Sequence, residues 1–217
     1  MNQDQRDILY DQDDVQITRQ ELATVQDGMC IGDMIVHFHF RCLERRYKEN
    51  ENYFYNFAPC TVQFIQTYPE FAKDSFTHLK LESYKFIFFA LSDFTVERMA
   101  ASHWSLLYID NSKGEMKLKH FDSMNQCNLG AAKNFVTKLS QVFDLKSTKI
   151  EPLKCVSQPN CYDCGVYVMA YLDAFLQTND HEESNKQLKP DLIYQYRKYM
   201  RDYINECIEC QKKQFHL

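Results

Sequence analysis

Residues 158–172, QPNCYDCGVYVMAYL, set two cysteines three positions apart and then run straight into a long apolar stretch. From Gly165 to Leu176 that stretch is apolar almost all round, so as a helix it belongs in the middle of the protein and not on its surface. Asn160 or Asp163 is suited to cap such a helix, which leaves Cys164 in its first turn. There, unpaired backbone N–H groups and the positive end of the macrodipole favour a thiolate and a depressed thiol pKa. The segment therefore reads as a polar turn presenting one thiol at the start of a buried helix.

A thiolate used as a nucleophile needs an imidazole to take its proton and a third group to hold that imidazole. The stretch from His103 to Asp122 supplies both, as two alternating runs separated by the turn residues Asn111-Ser112-Lys113-Gly114, the pattern of a β-hairpin. With Ser112-Lys113 at the tip, His103 falls directly opposite Asp122 on one face of the sheet. His120 is the rival base, but it lies two positions along the same strand from Asp122, roughly 6.5 Å away, which is poorer for an orienting hydrogen bond. His37 and His39 flank Phe38 on a helix and read as hydrogen-bonded or solvated bystanders. Gln158, six residues before Cys164, is placed to donate to an oxyanion formed during acyl transfer. Trp104, the only tryptophan, adjoins the proposed base and reads by itself as core packing.

The rest of the chain fits an α+β protein. The positions Ile31, Ile35, Phe38 and Cys42 predict a helix between Cys30 and Tyr47, and Lys85 to Leu91 a fully buried strand. A short helix is expected over Thr61 to Thr67, an amphipathic one over Ala131 to Phe143, and a strand over Ile150 to Val156. His181 to Lys189 reads as a polar loop. Pro190 opens a last helix with an apolar stripe of Leu192, Tyr196, Met200, Tyr203 and Cys207. Residues 1–14 are polar and acidic and read as loosely held.

At 217 residues, with 45% hydrophobic and 25% charged residues, the chain is expected to fold as a single domain spanning 1–217. The net charge of −5, with basic residues scattered outside Arg41 to Lys48, does not form a phosphate-binding surface, so nucleic acid is not an expected partner. No secretory leader is seen and no apolar run is long enough to span a bilayer, which predicts a cytoplasmic or nuclear protein without a membrane partner, working as a monomer. Nine cysteines, an odd number in a large chain, are expected to be mostly reduced thiols. Two Cys-x-x-Cys pairs, at 161/164 and 207/210, raise the question of zinc. They are separated by 42 residues, against roughly 15 to 20 in a compact ribbon, and Cys207 lies on the apolar stripe. No metal and no cofactor is expected at this site, and a thioredoxin-like pair lacks its usual context.

The blocks His103-Trp104-Ser105-Leu106-Leu107, His120-Phe121-Asp122-Ser123, Gln158 and Cys161-Tyr162-Asp163-Cys164-Gly165, in that order, resemble the sentrin-specific or ubiquitin-like-protein-specific cysteine proteases. The resemblance covers roughly residues 8 to 210. With the Val62-Gln63-Phe64-Ile65 segment and HWSLL, it is nearest to the branch acting on the neddylation modifier. It implies a papain-like fold with a central mixed or antiparallel sheet flanked by helices and a buried helix carrying the nucleophile. It further implies His103 as base, Asp122 as orienter, Cys164 as nucleophile and Gln158 as oxyanion donor. The substrate would be the C-terminal Gly-Gly of a ubiquitin-like modifier, the neddylation modifier first and SUMO second. Trp104 would then cover a narrow tunnel for that tail. Where the family has a Trp-Leu-Asn-Asp helix start, whose Trp is the other wall and whose last Asp grips the tail, this chain has Cys30-Ile31-Gly32-Asp33. Asp33 matches and Cys30 replaces the aromatic. Readings of other classes are an acetyltransferase of related fold and a non-catalytic zinc or binding module.

Overall fold

The structure, a computed structural model, describes residues 7–50, 52–93 and 103–215. In chain order its elements are β1 (Ile8–Gln12), β2 (Val15–Thr18), α1 (Arg19–Ala23), α2 (Asp33–Arg46), β3 (Phe54–Phe57), α3 (Pro59–Thr67), α4 (Pro69–Ser75), β4 (Phe86–Ser92) and β5 (Trp104–Asp110). They continue with β6 (Lys117–Phe121), α5 (Leu129–Phe143), β7 (Ile150–Pro152), α6 (Cys164–Thr178), α7 (His181–Lys186) and α8 (Pro190–Phe215). This is the expected α+β composition. The described residues form two compact units, one up to His39 together with Gln158 onward, the other Phe40–Ser157.

The second unit is built on a five-stranded sheet in the order β3-β4-β5-β6-β7, mixed because β3 lies parallel to β4 and β7 parallel to β6 while the middle pairs are antiparallel. The unbroken apolar run of β4 is explained by burial on both faces. Ile87, Phe89 and Leu91 on one of those faces join Leu107, Ile109 and Leu118, and this layer packs with Val62 and Ile65 of α3 and Phe135, Val136 and Leu139 of α5. Phe57 stacks on Phe89 with ring centroids 4.7 Å apart.

The hairpin is present, but its register differs from the expected one. Asp110 pairs with Lys117 and Leu106 with Phe121, so six residues, 111–116, form the connection in place of a two-residue tip. Asn111 is the cause. Its N–H donates to Lys85 O and its side-chain amide donates to Leu81 O and Tyr84 O, at 3.1 and 2.8 Å, which ties it to the segment leading into β4. Asp110 Oδ1 meanwhile accepts from the backbone and hydroxyl of Ser112, and Gly114 turns the chain at φ +73. Continuing the observed register sets Asp122 opposite Ser105, so His103 is its diagonal neighbour on the same face rather than its direct partner. The strand expected over Ile150 to Val156 is also shorter, since pairing with β6 stops at Pro152.

In the first unit, α6 is buried from Cys164 through Leu176, as its composition requires. Its one charged residue, Asp173, is satisfied by Tyr196 Oη at 2.6 Å and His39 Nε2 at 3.4 Å, which links α2, α6 and α8. Three expectations are corrected. The chain from Ile8 to Gln12 is not loosely held but pairs with β2, and Asp11 exchanges hydrogen bonds with the Gln211 amide of α8; residues 1–6 lie outside the described residues. The stretch after Asp180 is helical and not a loop, because Asp180 accepts from Glu183 N at 2.9 Å and caps α7. The buried stripe of α8 is Ile193, Arg197, Met200, Ile204 and Ile208, with Leu192 exposed, because a paired arginine occupies a place that apolar periodicity assigns elsewhere.

Candidate active site

His103 stands just before β5, its N–H donating to Asp93 Oδ1 at 2.9 Å and its carbonyl accepting from Asp93 N. Its imidazole Nε2 lies 2.7 Å from Asp122 Oδ1, and both residues are buried. After β6 the chain folds around that carboxylate: Met124 N donates to Oδ1 and Asn128 N to Oδ2, each at 2.8 Å. Burial by itself pushes the Asp122 carboxyl up. The His103 hydrogen bond and the two backbone N–H groups outweigh it and hold the group below the usual carboxylate range. Asp122 is therefore an anion at neutral pH, fixed in place from three directions.

The rival His120 is committed elsewhere. Its Nδ1 lies 2.8 Å from Gln126 Oε1, and burial holds its pKa below the ordinary histidine value despite Gln126 and the charge of Asp122. His37 and His39 pair with Asp14 and Asp173, as bystanders do.

Cys164 is the first residue of α6 and is buried. The cap differs from the expected one. Asp163 occupies the N-cap position but makes no side-chain cap hydrogen bond, because Arg197 draws its Oδ1 away at 2.7 and 3.0 Å and Asn160 holds its Oδ2 at 2.7 Å. Asn160 caps the preceding turn instead, its Oδ1 accepting from Tyr162 N and Asp163 N. The first-turn amides of α6 thus stay uncapped by either side chain, which leaves them to an incoming anion. Arg197 is 2% exposed and also donates to the carbonyls of Thr24, Gln26 and Tyr162. Sequence reasoning missed it, and it fixes the turn from which Cys164 projects. Gln158 Nε2 donates to Asn160 O at 2.7 Å, with a second N–H on the same nitrogen.

Cys30 is exposed, its Sγ 3.9 Å from Cys161 O. Burial, and then the nearby thiols of Cys164 and Cys161, push its own thiol up, which places position 30 in the neighbourhood of Cys164. Asp33 is exposed at the first position of α2. Trp104 is half-buried, opposite Ser92 across the β4–β5 pair.

Behind Asp33 lies a group the sequence did not single out. Glu21 presses its carboxyl against Gly32, where any Cβ would collide with Oε2, and that oxygen has no hydrogen-bond partner among the described residues. Burial, helped by the charge of Asp33, raises Glu21 from 4.5 to about 7. The folded state then holds this proton more tightly than the unfolded chain, so between about pH 4.5 and about pH 7 stability falls as pH rises. Glu21→Gln is expected to match the wild type in thermal midpoint at pH 4.5 and exceed it at pH 8. A midpoint difference that stays constant across that range would refute the assignment.

The pattern of the Ulp1 protease family, C-terminal catalytic domain, matches residues 63–212. Sentrin-specific protease 8 of Homo sapiens is 24% identical over 196 residues, spanning 87% of this chain and 92% of its own. Probable sentrin-specific protease 8 of Dictyostelium discoideum is 23% identical over 217 residues, spanning 93% of this chain and 88% of its own. Among solved structures, the C-terminal Ulp1 protease domain in complex with Smt3, the yeast ortholog of SUMO, is similar with a TM-score of 0.62 at 18% identity, covering 93% of this chain and 86% of that one. At that identity the likeness is one of fold.

Proposed function

Because the chain belongs to the Ulp1 protease family, and is therefore a cysteine peptidase of the ubiquitin-like-protein-specific kind, we propose that it cleaves after the C-terminal Gly-Gly of a ubiquitin-like modifier, with the neddylation modifier as preferred substrate. Cys164 is the nucleophile, His103 the base and Asp122 the orienter. The observation that carries this reading is the buried 2.7 Å bond between His103 Nε2 and Asp122 Oδ1. With Nε2 engaged by the carboxylate, Nδ1 is the nitrogen proposed to take the proton from the thiol. The thiolate attacks the terminal glycine carbonyl. The oxyanion is met by Gln158 and the first-turn amides of α6, His103 protonates the departing amine, and water then resolves the thioester.

Cys30, Asp33 and Trp104 are proposed to contact the tail. A Gly-Gly tail offers no side chains, so it is recognised by close walls and backbone hydrogen bonds. A thiol at position 30 gives a smaller wall than an indole. The HWSLL block at 103–107 and the Val62-Gln63-Phe64-Ile65 segment, which resemble the branch acting on the neddylation modifier, support that modifier over SUMO.

The test uses three modifiers, the neddylation modifier, SUMO and ubiquitin, each ending in an electrophile in place of the terminal carboxylate. The expected result is an adduct mapped to Cys164, formed fastest by the first. An adduct formed fastest by SUMO moves the preference to SUMO. No adduct with any of the three, or one mapped to another cysteine, ends the protease reading.

A further inference from the structure

The loop that wraps Asp122 also returns a thiol to it. After Ser123 the chain reverses through two consecutive left-handed residues, Asn125 at φ 52 and Gln126 at φ 64, and Cys127 N donates to Met124 O. Ligand atoms of His103, Asp122 and Cys127 then lie within 4.8 Å of one another. The first two are buried and Cys127 is exposed. We infer that these three residues form a binding site for a borderline-soft divalent cation, zinc above all, and that its occupation switches the peptidase off.

The donor set selects the ion. Nitrogen, carboxylate oxygen and thiolate together suit Zn²⁺ and disfavour Mg²⁺ and Ca²⁺, which take oxygen ligands. Donors around tetrahedral zinc stand roughly 3.3–3.8 Å apart, given bond lengths of about 2.0–2.3 Å. Reaching that spacing takes a closing of about 1 Å by the exposed Cys127 side chain and a parting of about 0.6 Å between His103 Nε2 and Asp122 Oδ1, now hydrogen-bonded at 2.7 Å. Three protein ligands leave a fourth position for water. On binding, the Cys127 thiol gives up its proton to solvent, and two anions, thiolate and Asp122 carboxylate, balance the dication. That neutrality matters where two of the three ligands are buried, because an uncompensated charge there carries a large desolvation cost.

The inhibitory consequence rests on the proposed function. A base needs the lone pair on its imidazole and the hydrogen bond that orients the ring. An ion ligated by His103 and Asp122 competes for the carboxylate oxygen that holds Nε2 and takes up one nitrogen of the ring. Cys155, close to the same carboxylate, is a poorer ligand because burial pushes its thiol up to about 12.

Binding and inhibition are tested separately. Binding is measured on Cys164→Ala protein, which removes the proposed nucleophile as an alternative sulfur ligand. Zn²⁺ is titrated against a chromophoric chelator, and Co²⁺ is used to look for a thiolate-to-metal charge-transfer band. One ion per chain is expected, with the band present, and adding Cys127→Ser should abolish the band and weaken zinc by about tenfold or more. Unchanged zinc affinity and an unchanged band in the double variant overturn the site, as does a failure of the single variant to bind zinc. Inhibition is measured on cleavage of a modifier precursor by chains that retain Cys164. Cys127→Ser is expected to keep basal turnover and to need about tenfold more zinc for half inhibition. Equal sensitivity overturns the switch. If neither protein cleaves a precursor, the protease reading fails while the binding result still decides the site.

Discussion

Asp122→Ala is expected to lower kcat by about 10³-fold or more with little change in KM, since in a nucleophile–imidazole–carboxylate set the orienter acts on the imidazole and not on substrate affinity. It should also destabilise the protein by about 3 kcal/mol. Three donors, His103 Nε2, Met124 N and Asn128 N, lose their acceptor in a buried place, and an unsatisfied buried donor costs on the order of 1–3 kcal/mol. For a chain of this size that corresponds to a fall in thermal midpoint of about 6–12 °C. Asp122→Asn separates the two roles. Its Oδ1 still accepts from His103 and Met124, while its amide faces the N–H of Asn128, donor against donor, so stability is recovered only in part.

The pH dependence supplies a further check on the same residue. Because the folded state holds the Asp122 carboxyl below its usual range, its stabilisation is fully present above the unfolded value of about 3.9 and is lost as pH falls through the lower, folded one. Asp122→Asn should remove that contribution and flatten the acid limb of the unfolding curve. An Asn variant with wild-type turnover and an unaltered acid limb would show that the carboxylate neither orients His103 nor titrates as described.

How far the sequence could be read depended on whether a residue's fate was settled by its neighbours in the chain. The alternation from His103 to Asp110 and from Glu115 to Asp122 was enough to specify a hairpin, and the closed apolar surface of Gly165 to Leu176 was enough to specify a buried helix. The register was not legible, because Asn111 answers to carbonyls at positions 81, 84 and 85 that no local pattern announces. His103 and Asp122 nevertheless met, since the register moved by an even step and left both on one face. Cys164 was identified as a helix-start thiol, while the assignment of its cap failed for want of Arg197. An apolar stripe is found by looking for apolar residues, so a buried guanidinium within one is invisible until its anion is located. The Asp180-to-Glu183 cap was a local signal and was legible in principle, hidden by the polarity of the segment it starts. Cys127 was not legible at all, because its approach to His103 depends on left-handed turns at Asn125 and Gln126.

Arg197→Met is expected to cost about 3–5 kcal/mol, the range for removing one partner of a buried ion pair, and to lower the thermal midpoint by about 6–20 °C. The guanidinium is 2% exposed and binds Asp163 through two nitrogens, at 2.7 and 3.0 Å, while serving carbonyls at 24, 26 and 162. Methionine fills much of the volume and serves none of them, so the carboxylate of Asp163 is stranded with Asn160 as its neutral partner. Adding Asp163→Asn should return a large part of the loss by removing the stranded charge, and the cycle of the two single variants and the double one isolates the pair. Asp163 directly precedes Cys164, so the consequence extends to the reaction. With its anchor gone the helix start is freer to move, and the reactivity of the Cys164 thiol toward a small alkylating agent and toward a modifier probe should diverge, the first rising with exposure and the second falling with lost alignment. A single variant within about 0.5 kcal/mol of the wild type in urea, the scatter ordinary surface substitutions show, would mean that Arg197 merely fills space.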